Sequence, residues 1–91
     1  VQRRRAAIND LQSRANAAEA EIASIDKDQD RIRKNMAALD KASALYKRYV
    51  TQLDTQETRI QALRTEVTRL RNQTAEAERG LRTYLDELNV Q

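Results

Sequence analysis

Ninety-one residues with 17 Lys and Arg against 14 Asp and Glu carry a formal charge of +3, and no Cys, His, Phe, Trp or Pro is present. Apolar residues make up 40% of the chain but aromatics only 3%, too few bulky side chains for the core of a compact globule, and one domain is the upper bound. Zinc sites, Ser-His-Asp triads and thiol redox centres are excluded because their His or Cys is missing.

A charged fraction of 34% alongside abundant Ala, Leu, Gln, Arg and Glu is the composition of a long helix or coiled coil. Disorder is the competing expectation for so polar a chain, and it is decided by whether an apolar period is sustained. No apolar run approaches the roughly 18 residues of a membrane span, and no secretory apolar region is visible. A first residue of Val1 rather than Met suggests a fragment of a larger protein.

In the first half, Val1, Arg4, Ile8, Leu11, Ala15, Ala18, Ile22, Ile25, Gln29, Ile32, Met36 and Leu39 follow at alternating steps of three and four. That spacing keeps one narrow seam toward a partner helix, and it predicts a helix over about 1–39. Asp40 to Ala44 then read as a turn, with Asp40 or Ser43 as the cap of the next helix. The second half repeats the spacing through Tyr46, Tyr49, Leu53, Gln56, Ile60, Leu63, Val67, Leu70, Thr74, Ala77, Leu81, Tyr84 and Leu88, predicting a helix over about 45–89.

The two seams are out of frame with each other. Leu39 closes the first at a d position, and Tyr46 opens the second at an a position. Folding the chain between them gives an all-α, long antiparallel two-helix coiled-coil hairpin over 1–91, in which opposed seam residues have numbers summing to 85. Gln29 then faces Gln56, and small Ala15 and Ala18 face Leu70 and Val67.

Flanking charges in this register bring Arg5 near Glu78, Arg14 near Glu66, Glu19 near Arg64, Glu21 near Arg59 and Arg33 near Glu57, with one like-charge approach of Asp26 to Glu57. Ala7 lands near Gly80. The alternative is a single continuous helix that dimerises with another chain and absorbs the frame shift as local overwinding.

Few residues invite chemistry. Asp26, Asp28 and Asp30 lack the glycine turn and terminal glutamate of a calcium loop, so solvated helix surface is the expectation. Gly80 alone cannot build a phosphate loop. No catalytic, metal-binding or cofactor-binding residue is assigned, no cofactor is expected, and the chain is read as non-enzymatic.

Gln29 and Gln56 are the expected register-setting core pair, costing stability while penalising slipped alignments. Arg31, Arg33, Lys34, Lys47 and Arg48 cluster near the folded end beside Tyr46 and Tyr49. Together these seven form a candidate tip contact, although core filling alone accounts for the tyrosines at a and d positions. Interleaved signs along both halves argue weakly against a nucleic-acid partner. A weak homodimer through Leu45, Val50, Leu85 and Val90, which lie off the seam, stays open.

Around the turn, Asp28-Gln29-x-Arg31-Ile32-Arg33 followed by Leu45-Tyr46-x-Arg48-Tyr49-Val50 and by Gln56-Glu57 resembles the coiled-coil tail of the mucoidy inhibitor A-like family. Its members are bacterial proteins with β-rich domains of unknown function and long coiled-coil segments. The resemblance is densest over about residues 25–60. It implies a bacterial parent protein, located in the cell envelope, whose β-rich part is missing from this chain, and it implies no catalytic residue. The function expected is a structural, protein-interaction coiled-coil module with an unidentified protein partner. The alternative is a basic-tipped arm that binds nucleic acid or another anionic surface.

Overall fold

A seam of apolar residues on a chain free of proline needs only one reversal to bury itself, and the structure makes that reversal once. The structure is a computed structural model that describes residues 1–90, except for the Val90 side chain. Gln91 and the contribution expected of Val90 to a second apolar face lie outside the described residues.

Helix α1 runs over Gln2–Ala37 and helix α2 over Ala44–Val90. They pack antiparallel into a rod of 73 × 15 × 15 Å. A continuous helix of 91 residues would reach about 137 Å at 1.5 Å per residue, so the single-rod alternative is overturned. The Cα radius of gyration is 20.7 Å, against about 12 Å for a compact chain of this length.

Burial follows the two seams. Ile8, Ala15, Ala18 and Ile32 of α1 and Ile60, Leu63 and Leu70 of α2 form the buried apolar core. Ala15 and Leu70, opposed in the register of 85, are both fully enclosed at 0% exposure, so the short side chain leaves room for the long one. Thr74, also buried, satisfies its hydroxyl by donating 2.7 Å to the Leu70 carbonyl one turn back.

Side-chain bonds between the helices lie along the same diagonal. Gln12 donates to Glu78, Arg71 to Asn16 and Glu19, Arg59 to Glu21, Gln56 to Asp28, Gln29 to Glu57, and Asn35 to the Tyr49 hydroxyl.

Individual charge partners differ from the expected set. Of the five attractive pairs, Glu21 with Arg59 forms, as a two-pronged contact of 2.6 and 3.0 Å. Arg14 instead pairs with Asp10, Arg33 with Asp30 and Glu66 with Arg69, all inside one helix, where neighbours three or four residues away are held at close range by the backbone. Glu19 meets Arg71 at 3.1 Å rather than Arg64. Helical side chains lean toward their own N-terminus, so in antiparallel helices Glu19 leans toward the open end while Arg71 leans back to meet it.

Gly80 faces a different neighbour from the one expected. The Arg4 guanidinium, not Ala7, lies against it: a Cβ built on Gly80 would sit 3.5 Å from Arg4 Nη1. Arg4 also stacks 4.8 Å over the Tyr84 ring, so a charged seam residue is accommodated as a flat cation on an aromatic face.

The reversal uses no glycine and no left-handed residue: among the described residues no φ is positive. Helix α1 tightens as it ends, with the Ala38 amide donating to Asn35 and the Leu39 amide to Met36. Asp40 then organises the bend, accepting from the Ala42 amide at 3.0 Å on its carboxylate and from the Ser43 amide at 3.0 Å on its carbonyl. Ser43 caps α2 by accepting from the Tyr46 amide at 3.2 Å. The two candidate caps share the work, one shaping the bend and the other starting the helix.

Candidate functional site at the hairpin tip

Along the shaft fully buried seam residues alternate with half-buried ones such as Ile22, Ile25 and Val67, and beyond Ile32 and Ile60 toward the bend no seam residue is fully buried. Ile32 and Ile60 are essentially inaccessible at 0% and 2%, whereas Met36, Leu39, Tyr46, Tyr49 and Leu53 are all half-buried although they hold seam positions. A cleft of about 350 Å³ opens between them, floored by Met36, Leu39, Tyr46 and Leu53 and flanked by Arg33 and Lys41. A second cleft, on the shaft, is lined by Ala17, Ala18, Ala62 and Leu63 and by the mixed charges of Arg14, Glu21, Arg59 and Glu66.

Charge is concentrated at the same end. From Arg31 to Leu53 six Lys and Arg side chains stand against one carboxylate, Asp40, while the rest of the chain has eleven against thirteen. The excess of positive charge therefore belongs to the tip, a distribution that the interleaving of signs along the two halves conceals.

The seven candidate tip residues are not equivalent. Arg31 donates 2.9 Å to Asp28 and is held firmly protonated by that carboxylate. Arg33 pairs with Asp30 at 3.6 Å. Lys34, Lys47 and Arg48 are exposed and make no ion pair among the described residues. Tyr46 packs into the cleft floor. Tyr49 accepts a 3.2 Å hydrogen bond from Asn35 of the other helix, so its hydroxyl ties the arms together just below the bend.

Deeper in, Gln29 and Gln56 do not bond to each other. Gln29 donates 2.9 Å to Glu57, and Gln56 donates 2.7 Å to Asp28, each amide reaching the carboxylate beside the opposite glutamine. Gln29 is buried at 3% exposure. The Gln56 carbonyl oxygen is enclosed without a hydrogen-bond donor. Asp28, accepting from Arg31 and then from Gln56, has its carboxyl held below the usual aspartate value. Glu21, clamped by Arg59, is lowered likewise.

Three participants escaped the heptad reading: Asn35 as a cross-helix donor, Glu57 as the acceptor for Gln29, and Lys41 on the cleft rim. Asn35 and Lys41 lie off the seam, where only a folded backbone reveals their neighbours. Among the described residues no group of three or more His, Cys, Asp and Glu is placed to hold a metal ion, and no helix is long and apolar enough to cross a membrane. No family model matches the chain, and neither a curated protein nor a solved structure matches it.

Proposed function

We propose that the chain is a non-enzymatic structural and protein-interaction module, a stiff rod whose contact surface is its tip. The observation that supports this reading is the coincidence at one end of an apolar-lined cleft with the net positive charge of the molecule. An exposed apolar patch rimmed by charge is characteristic of protein contact surfaces, while a two-helix rod offers no enclosed concavity for catalysis. By its resemblance to the mucoidy inhibitor A-like tail, the module would project from a bacterial envelope protein with a β-rich domain.

Photo-crosslinking residues placed at Lys34, Lys41 or Arg48, and at Arg14 or Glu66 on the shaft, test the reading in the producing cell. Protein adducts are expected from the tip positions. Adducts from the shaft alone, or none from the tip, would remove it.

The local charge favours a second reading, an arm that binds nucleic acid or another anionic surface. Lys34, Lys47 and Arg48 would carry most of it, since Arg31 and Arg33 already have carboxylate partners. Binding of single-stranded RNA that falls steeply with salt and disappears on reversing those three charges is its expected signature.

A further inference from the structure

The tip cleft has a specific chemistry, and it narrows the partner. We infer that it takes an acidic peptide segment of a partner protein, which lowers a bulky apolar side chain onto Met36, Leu39, Tyr46 and Leu53 and sets its carboxylates against Lys41, beside Arg33, which Asp30 already engages at 3.6 Å. The inference rests on the proposal that the tip is the contact surface, and it adds the identity of what docks there.

Two independent features converge on this occupant. The floor is apolar and half-accessible in a stretch where the heptad pattern calls for burial, so side chains chosen for a core are left with surface to cover. At about 350 Å³ the cleft is at the small end for a ligand pocket and suits an anchoring side chain rather than a whole domain. The rim and its surroundings are cationic: Lys41 makes no ion pair among the described residues, and Lys34, Lys47 and Arg48 extend the field around the bend. A bare polyanion would satisfy the rim and leave the floor wet, and a purely apolar segment would gain nothing from the charge. A segment that alternates carboxylates with Leu, Ile or Phe satisfies both.

Helix-end geometry favours the same sign of charge. The bend presents the N-terminus of α2, whose free amides and dipole attract carboxylates, although Ser43 already occupies the Tyr46 amide. The cleft and the cations, rather than that terminus, carry the assignment.

Selection of short peptides from a displayed random library against the 91-residue chain provides the test, followed by titration of the enriched peptide in synthetic form. The expected winners combine Asp or Glu with a bulky apolar residue. Replacing that apolar residue by Ser, or replacing Met36→Ala in the hairpin, should weaken binding about tenfold, the scale of one lost anchor. K41E, at an exposed position outside the helix seam, should weaken it while leaving the circular dichroism spectrum unchanged. It also guards against a fold defect in Met36→Ala.

Winners without an acidic bias, or binding insensitive to both variants, would overturn the assignment, as would a library that yields no tip binder. An enriched polyanion that binds equally well with Ser in place of its apolar residue, with oligouridylate competing, would overturn it in favour of the nucleic-acid arm. If tip crosslinks to protein still form in cells, the tip reading survives any of these results. If they do not, both fall.

Discussion

Single residues here act mainly as choices among alignments. Gln29 and Gln56 each spend an amide on a carboxylate across the interface, and one carbonyl oxygen of Gln56 stays enclosed without a donor. Replacing both by Leu removes that cost, and the double variant is expected to melt higher by several degrees, at about 4–8 °C per kcal/mol for a chain of this size. The same variant should lose its unique register, visible as crosslinks between additional cysteine pairs. A lower melting temperature would mean that the bonds to Asp28 and Glu57 stabilise more than leucine packing does.

Gly80 offers a second residue-scale test. A Cβ there would meet Arg4 Nη1 at 3.5 Å, an ordinary contact, so Gly80→Ala should stabilise α2 by about 0.5–1 kcal/mol through helix propensity alone. Chemical denaturation measures it.

Acid sensitivity also belongs to individual residues. The carboxyls of Asp28 and Glu21 are lowered in the fold by Arg31 with Gln56 and by Arg59 respectively. A lowered carboxyl stabilises the folded state above its unfolded value, 3.8 for Asp and 4.5 for Glu, and that contribution is lost as pH falls through the lower folded value. The melting temperature is therefore expected to fall on acidification below about pH 4.5, and the fall should be shallower in Asp28→Asn than in the parent.

At the scale of the element, the two helices were legible because their apolar steps of three and four survive over most of each arm, and burial in the structure follows those positions from Ile8 to Leu81. The bend was legible only from the change of frame, since it lacks both Gly and Pro. Helix α1 stops at Ala37 and α2 starts at Ala44, each within two residues of the expected ends. What the pattern could not convey is accessibility. Met36, Leu39, Tyr46 and Leu53, like Ile22, Ile25 and Val67 on the shaft, have the same spacing as Ile32 and Ile60, and only the fold shows which seam positions stay partly open and that the cleft lies beside the bend. Charge partners were illegible for a related reason, because long side chains choose among several neighbours after the backbone is placed. Removing the Ser43 cap should cost about 1 kcal/mol in Ser43→Ala, measured by denaturant unfolding. Leu70→Ala, at a fully enclosed position opposite Ala15, should cost about 2–5 kcal/mol.

For the whole molecule the relevant property is shape. Among the described residues the large exposed apolar side chains are Val1, Leu45, Val50 and Leu88, divided between the two ends of the rod. That arrangement provides no continuous second face, and the chain is expected to sediment as an elongated monomer. Small-angle scattering should return a radius of gyration near the 20.7 Å of the Cα trace, and an end-to-end dimer would exceed it clearly. Arms of unequal length, 36 and 47 residues, leave the final turns of α2 beyond the reach of α1, and amide exchange should be fastest there.

A bend made without any residue of positive φ has a further consequence. Since none of its residues depends on a conformation reserved for glycine, the exposed side chains that neither cap nor brace the bend, such as Lys34, Lys41, Lys47 and Arg48, are free to diverge, while Asp40 and Ser43 hold the turn itself. At those positions recognition is uncoupled from architecture, so a new specificity could be written there one substitution at a time while the stem remains the same.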